Sequence, residues 1–453
     1  MLKKTNWALY VVLVLGLLAG CKEPEKVTPQ PPVQPEPDNV AKVNSSLYDI
    51  MKEVYLWNDQ LPATFDATQY RTNDEALEAL KYKTYDRWSY LTDIQVFMDY
   101  FEGGEYVGNG LGLKLDRDGN LWVSYVYPNS PAGKAGLNRG LKISRINGQD
   151  VAALLGSDKI VEALGEDKAG VQTRFAFVNA AGQTSDVTLA KEAVTINPVI
   201  HRSVTEVADK KVGYLVFTTF IEKSNAELDQ AFAFFKTQGV SEVVLDLRYN
   251  GGGSLDVAKH LAGLIAPGKA GQKFVELAYN TNLKSANKPF NIEAQAQGIN
   301  LSRLFVITTR STASASEAII NGLEPYLPVY TIGSASHGKP VGMNSLPIDP
   351  EGNLLKWDDV TKQTKGFVFL PIMFKVANAG GQAEYFTGIP ADGAAADDLT
   401  VPFGDVNEDC FAQALYYIRT GTFSAPLAAG RKADGITEPL LPLKGLRAEI
   451  GAF

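Results

Sequence analysis

The chain has 453 residues, 45% of them apolar and 21% charged, so it has ample material for a core and a length that suggests roughly three domains. Its formal net charge of −8 argues against nucleic-acid binding and against adhesion to anionic lipid by charge alone. With two cysteines and three isolated histidines, the composition gives neither a disulfide framework nor a ligand set for a metal.

Lys3 and Lys4 precede an uncharged apolar run from Trp7 to Gly20. That run is short for a bilayer span, and its basic flank is that of a secretory signal. It ends in Leu17-Leu18-Ala19-Gly20-Cys21, which resembles the lipobox of bacterial lipoproteins. The resemblance implies a signal peptide over residues 1–20, lipidation of Cys21 and a membrane partner held through that lipid anchor. A short buried helix with an incidental cysteine is the structural alternative. Pro24, Pro29, Pro31, Pro32, Pro35 and Pro37 follow with almost no large apolar side chain, so residues 21–42 read as a semi-extended linker. Loss of residues 1–20 removes two lysines and no acids, which moves the net charge to −10. The expected location is the cell envelope. Lys22 after the cysteine, where an aspartate retains many lipoproteins in the inner membrane, favours the outer membrane, facing periplasm or cell surface.

Residues 43–105 show Leu47, Ile50, Met51, Val54 and Tyr55 at helical spacing, then Ala76, Leu77 and Leu80, which predicts a small N-terminal helical domain. Residues 106–192 change character, with short strands predicted over Leu121–Val126 and residues 141–146. Here Ser130-Pro131-Ala132-Gly133-Lys134-Ala135-Gly136-Leu137 and Ile143-Ser144-Arg145-Ile146-Asn147-Gly148 resemble segments of the PDZ domains of bacterial proteases. That resemblance implies that Gly110, Leu111, Gly112 and Leu113 form the peptide carboxylate loop. Successive backbone N–H groups can hold a carboxylate while the peptide adds a strand to the sheet edge.

From 212 to 332 the predicted order is strand, helix, strand, helix, strand, helix, strand. Continuous apolar strands alternating with helices indicate a buried, mainly parallel sheet whose ligands gather at the carboxyl ends of the strands. Residues 346–404 suit an antiparallel extension, and an amphipathic helix runs through Ile418. Residues 193–420 therefore form one domain, and the tail, 421–453, carries no legible role.

Three motifs stand out, Asp246-Leu247-Arg248-Tyr249-Asn250-Gly251-Gly252-Gly253, Ser311-Thr312-Ala313-Ser314-Ala315-Ser316-Glu317 and His337-Gly338-Lys339-Pro340, and the glycine triplet of the first and Ser314 of the second fall just after expected strand ends. Together they resemble the C-terminal processing (tail-specific) peptidases, a serine–lysine protease family, over about residues 48–418. The resemblance implies a multidomain α/β protein: a ClpP/crotonase-like α/β catalytic core, an inserted PDZ domain and the small helical domain. It also implies Ser314 as nucleophile, Lys339 as its base, and the Ala315 and Gly252 backbones as oxyanion hole. No metal or organic cofactor is implied. The partners expected are protein or peptide substrates with free C-termini.

The chemistry is demanding. A lysine with a reference pKa near 10.4 must be held neutral to act as a base, and depressing it by about three units costs about 4 kcal/mol of desolvation. The family's usual lysine-orienting glutamine is replaced here by Met343, a weak acceptor, which leaves Met343 or Asn344 as the orienting candidates. Other readings stay open. Ser314 with Glu317 fits a helix capping box, His337 is a nearby alternative base, and Cys410 reads as a buried small hydrophobe. The expected activity is endopeptidase cleavage through an acyl-enzyme. The alternative is a catalytically weak or inactive lipoprotein that binds peptides or apolar ligands.

Overall fold

The apolar runs at Val212, Val243, Leu304 and Val329 are adjacent parallel strands of one sheet, as side chains suited to burial on both faces require. The molecule is described by a computed structural model over residues 37–424 and 441–453; the signal segment, Cys21 and most of the proline-rich linker lie outside the described residues. The strands Lys210–Phe217, Glu242–Asp246, Leu304–Thr308 and Val329–Gly333 lie side by side, with Val212 opposite Glu242, Val244 opposite Phe305 and Leu304 opposite Val329. Antiparallel Val199–Val207 extends one edge, and parallel Gly393–Ala394 extends the other.

The two-residue period of the strands sorts the core into two layers. Leu215, Phe217, Leu245 and Val306 pack beneath the helices Ser224–Gln238, Leu255–Ile265 and Ala315–Leu323. Tyr214, Val216, Val244 and Ile307 point the other way, against Cys410, Phe411 and Ala414 of the helix Asp409–Thr420. Each such Val, Leu or Phe side chain buried contributes about 1.5–3 kcal/mol. The sheet is thereby a rigid platform, and the loops at the carboxyl ends of its strands inherit that rigidity.

The expected antiparallel extension divides. Phe367–Leu370 pairs with Tyr90–Asp93 and Leu346–Ile348 in one sheet. Ile372–Ala377 pairs with Lys273–Tyr279 and Val341–Met343 in another. Pro371 stands between them, and a residue without an N–H cannot continue a ladder.

One boundary read from the sequence is corrected. The linker drawn to residue 42 overlaps a helix, Pro37–Val54; Pro37 is tolerated in its first turn, where the missing N–H would have had no partner. The helical segment after it also has no core of its own. Leu47, Met51 and Tyr55 pack against Val341, Ile348, Phe369 and Ile372, and the stretch contains the strand Tyr90–Asp93.

The smaller unit is bracketed by Glu105–Gly108 pairing with Glu192–Thr195, which closes the chain's entry and exit together. Inside the bracket five antiparallel strands, Leu111–Leu115, Leu121–Val126, Lys142–Ile146, Gln172–Val178 and Thr184–Ala190, surround a separate core that includes Val123, Ile146, Leu154, Phe175 and Phe177. Among the described residues, no helix is long and apolar enough to cross a membrane.

Candidate active site

Asp246-Leu247-Arg248-Tyr249-Asn250-Gly251-Gly252-Gly253 leaves the end of its strand as a tight loop, and hydrogen bonds from Asn250 set its shape. Asn250 Nδ2 donates to the Phe217 carbonyl at 3.0 Å, and the Asn250 carbonyl accepts from Ala313 N–H at 3.1 Å and from Ser316 Oγ at 3.0 Å. One asparagine thus ties the glycine loop to the serine segment. Gly252 has φ of 107°, and a Cβ built there would lie 2.8 Å from Ser314 Cβ and 3.0 Å from Ala315 N. Only glycine fits that approach. Gly252 N–H, expected to serve the oxyanion hole, donates instead to Asn250 Oδ1 at 2.9 Å. In this structure the contribution of Gly252 is therefore its missing side chain, and its N–H is already bonded.

Ser314 precedes the helix Ala315–Leu323 with φ 56° and ψ −114°, a conformation that costs a non-glycine residue about 1–3 kcal/mol. The neighbouring hydrogen bonds hold it there. Glu317 accepts the Ser314 N–H at 2.9 Å through Oε2, the backward half of the expected capping box.

Glu317 does more than cap. The same Oε2 accepts the Lys339 N–H at 2.8 Å, while Oε1 accepts the Gly338 N–H at 2.6 Å and the Ser336 hydroxyl at 2.5 Å. The Ser314 and Lys339 backbones are therefore held one hydrogen bond to either side of a single oxygen atom. Burial pushes the Glu317 carboxyl up from its ordinary range, against the pull of these donors. In the sequence Glu317 reads only as half of a helix capping box; its second role joins residues more than twenty positions apart, and no local spacing signals it.

Lys339 itself is only 6% exposed. Among the described residues, its amine is partnered by Glu449 Oε1, 3.5 Å away, rather than by the Ser314 hydroxyl. Neither proposed orienting residue takes that place. Asn344 Nδ2 donates to the Tyr279 hydroxyl at 3.2 Å, and the Met343 side chain packs among apolar residues. Glu449 lies in the tail that carried no legible role.

His337 is not the surface group its loop position suggests. Its Nε2 accepts from Trp88 Nε1 at 3.1 Å, and Nδ1 faces the Arg310 carbonyl at 3.2 Å, an arrangement that suits the neutral ring protonated on Nδ1. Burial lowers its pKa from 6.5 to about 4, aided by Arg87, Lys339 and Arg310. The unfolded chain takes up this proton near pH 6.5 and the folded chain only near 4, so stability falls as pH drops through that interval, by up to about 3 kcal/mol. Urea unfolding at pH 7 and pH 4.5 is expected to show this loss, and a smaller one in His337→Gln.

A buried charge cluster fixes the base of the glycine loop. Arg248 Nε contacts Asp246 Oδ2 at 2.9 Å, Nη1 bonds Asp397 Oδ1 at 2.9 Å and Glu408 Oε1 at 2.7 Å, and Nη2 bonds Glu408 Oε2 at 3.0 Å. From the smaller unit, Arg139 Nη2 reaches Asp397 at 2.9 Å. The two arginines hold the Asp397 carboxyl well below the usual carboxylate range despite its burial. Cys410, on the far side of the sheet, is buried with its thiol pushed up, as expected of a small hydrophobe.

These loops open on a cavity of about 310 Å³ whose lining includes Ser311, Ala313, Lys339, Gly251, Leu113 of the smaller unit and Glu449 of the tail. Of the expected carboxylate loop, Leu111 N–H already donates to the Phe453 carbonyl, 2.8 Å away.

Residues 211–365 match the family model described as peptidase family S41, and residues 42–90 match the peptidase S41 N-terminal domain. Among curated relatives, a CtpA-like serine protease of Staphylococcus saprophyticus is 24% identical over 329 residues, covering 70% of this chain and 62% of the relative. One of the same description from Staphylococcus aureus RF122 is 25% identical over 273 residues, covering 60% of this chain and 52% of the relative. The chain thus spans between half and two thirds of the length of these relatives. A crystal structure from Bacteroides fragilis NCTC 9343, assigned to the S41 proteases, superposes with a TM-score of 0.65 at 26% identity, covering 82% of this chain and 96% of that one.

Proposed function

The chain belongs to peptidase family S41, and from that premise we propose that it is a serine endopeptidase acting through Ser314 and Lys339 on proteins captured by their C-terminal regions. The observation that carries the reading is the Glu317 carboxylate, whose single oxygen accepts both the Ser314 and the Lys339 N–H. It keeps nucleophile and base in one frame.

In the proposed reaction Ser314 Oγ attacks the peptide carbonyl carbon while Lys339 Nζ, neutral, takes the hydroxyl proton. The oxyanion is met by Ala315 N–H, and by Gly252 N–H once that group has left Asn250 Oδ1. Collapse breaks the C–N bond, the lysine proton passes to the leaving amine, and an ester joins the acyl part to Ser314. Water then attacks the ester with Lys339 again accepting the proton, which returns to Ser314 Oγ as the acid departs.

Substrate capture falls to the smaller unit, read as a PDZ domain whose groove runs along Gly110, Leu111, Gly112 and Leu113. Cys21 is read as the lipidated residue that tethers the enzyme to the cell envelope, at the outer membrane. Cleavage of a quenched fluorogenic peptide by the full chain tests the catalytic part. The expected result is turnover by the wild type and background only from Ser314→Ala, with the melting temperatures within a few degrees of each other. Equal background from both proteins contradicts the reading.

A further inference from the structure

Residues 446–453 take no part in the mechanism above, yet they occupy both of the places it needs. Ala452 pairs with Gly112 in an antiparallel bridge. Leu111 N–H donates to the Phe453 carbonyl and Phe453 N–H donates to the Leu111 carbonyl, each at 2.8 Å. The other side of Leu111–Leu115 is taken by Leu121–Val126, so the tail adds itself to the open edge of this sheet. The Phe453 side chain is 4% exposed and belongs to the core of the smaller unit, with Leu111, Leu113 and Ala132.

The other end of the segment reaches the catalytic loops. A Cβ built on Gly251 would lie 3.5 Å from the Ala448 carbonyl oxygen and 3.6 Å from that of Glu449. The Glu449 carboxylate faces Lys339 Nζ through Oε1 and accepts from the Tyr90 hydroxyl through Oε2 at 3.2 Å. Arg447, in the helix Leu446–Ile450 that carries Glu449, ties this end down by pairing with Asp167 and donating to the Gly165 carbonyl at 3.1 Å.

We propose that residues 446–453 are a built-in occupant of the peptide path, which fills the edge groove with Phe453 and sets Glu449 against Lys339, so that a substrate must displace them before cleavage begins. The inference rests on the peptidase reading. An ion pair with Glu449 is made by the ammonium form of Lys339, which has no lone pair with which to take the serine proton. Displacement frees the amine and the groove together. The occupant also defines the displacing partner: a peptide with a large apolar side chain at the position of Phe453, a small residue before it paired to the strand edge, and an acidic group on a helical turn four residues before the apolar one.

The test uses the full chain in a Ser314→Ala background, where binding is measured without turnover. The probe is a labelled peptide, Leu-Arg-Ala-Glu-Ile-Gly-Ala-Phe. A segment on the same chain competes at an effective concentration on the order of millimolar. Phe453→Asp, and independently the more exposed Arg447→Glu, are therefore expected to tighten probe binding roughly tenfold or more relative to the parent. With Ser314 restored, Phe453→Asp is expected to lower KM, and Glu449→Gln to raise kcat. Equal probe affinity in parent and both variants, or no binding in any of them, overturns the proposal. Tightened binding in proteins that cleave nothing supports the occupant and overturns the peptidase reading alone.

Discussion

Replacing Arg248 with alanine is expected to destabilise the chain by about 3–5 kcal/mol, the range for removing one partner from a buried ion network. Asp246, Asp397 and Glu408 converge on this one guanidinium, which is fully buried. Arg139 remains beside Asp397 in the variant, but Asp246 and Glu408 lose their charged partner. Glu408 also caps the helix Asp409–Thr420 through Phe411 N–H at 2.9 Å, so the damage extends to the layer behind the sheet. Tyr214, whose hydroxyl donates to Asp246 at 2.7 Å, cannot replace a cation. Urea unfolding of Arg248→Ala against the wild type reads the difference directly. A loss under about 1 kcal/mol contradicts the view that this cluster anchors the glycine loop.

Lys339→Met is expected to lower peptide cleavage by about 10²–10⁴-fold while the chain stays folded. Methionine keeps most of the buried volume and removes the amine, and Glu449, partly exposed and bonded by the Tyr90 hydroxyl, keeps a polar partner. The backbone N–H of residue 339 still bonds Glu317 in the variant, so the loop geometry that aligns Ser314 is retained. The loss then falls on proton transfer, and it is expected in kcat more than in KM. Cleavage within a few-fold of the wild type contradicts a base role for this lysine.

The readability of the sequence follows the range of the interactions involved. The strands at Val212, Val243, Leu304 and Val329 are legible because burial on both faces imposes continuous apolar runs. Val199–Val207 is not, since this edge strand breaks its alternation with three consecutive polar residues, His201, Arg202 and Ser203, a pattern shared by many loops. Ser314 and Lys339 are legible as a pair through motif and spacing, and the structure brings their backbones to one carboxylate oxygen. The carboxylate itself reads locally as a helix cap.

Longer-range partners leave no trace in any window of sequence. Arg139 and Asp397, or Lys339 and Glu449, are separated by more than one hundred residues and meet only through the fold. The tail was opaque for a related reason. Its apolar residues, Leu446, Ala452 and Phe453, do not face a core of their own segment but pack into cores built elsewhere.

The central claim is that Ser314 is a nucleophile activated by Lys339, and mass spectrometry after reaction with a fluorophosphonate tests it most directly. A single adduct on the peptide containing Ser314 is predicted, absent from Ser314→Ala and formed at least about 10²-fold more slowly in Lys339→Met. An adduct elsewhere, or one that forms on Ser314 at an unchanged rate without the lysine, contradicts it.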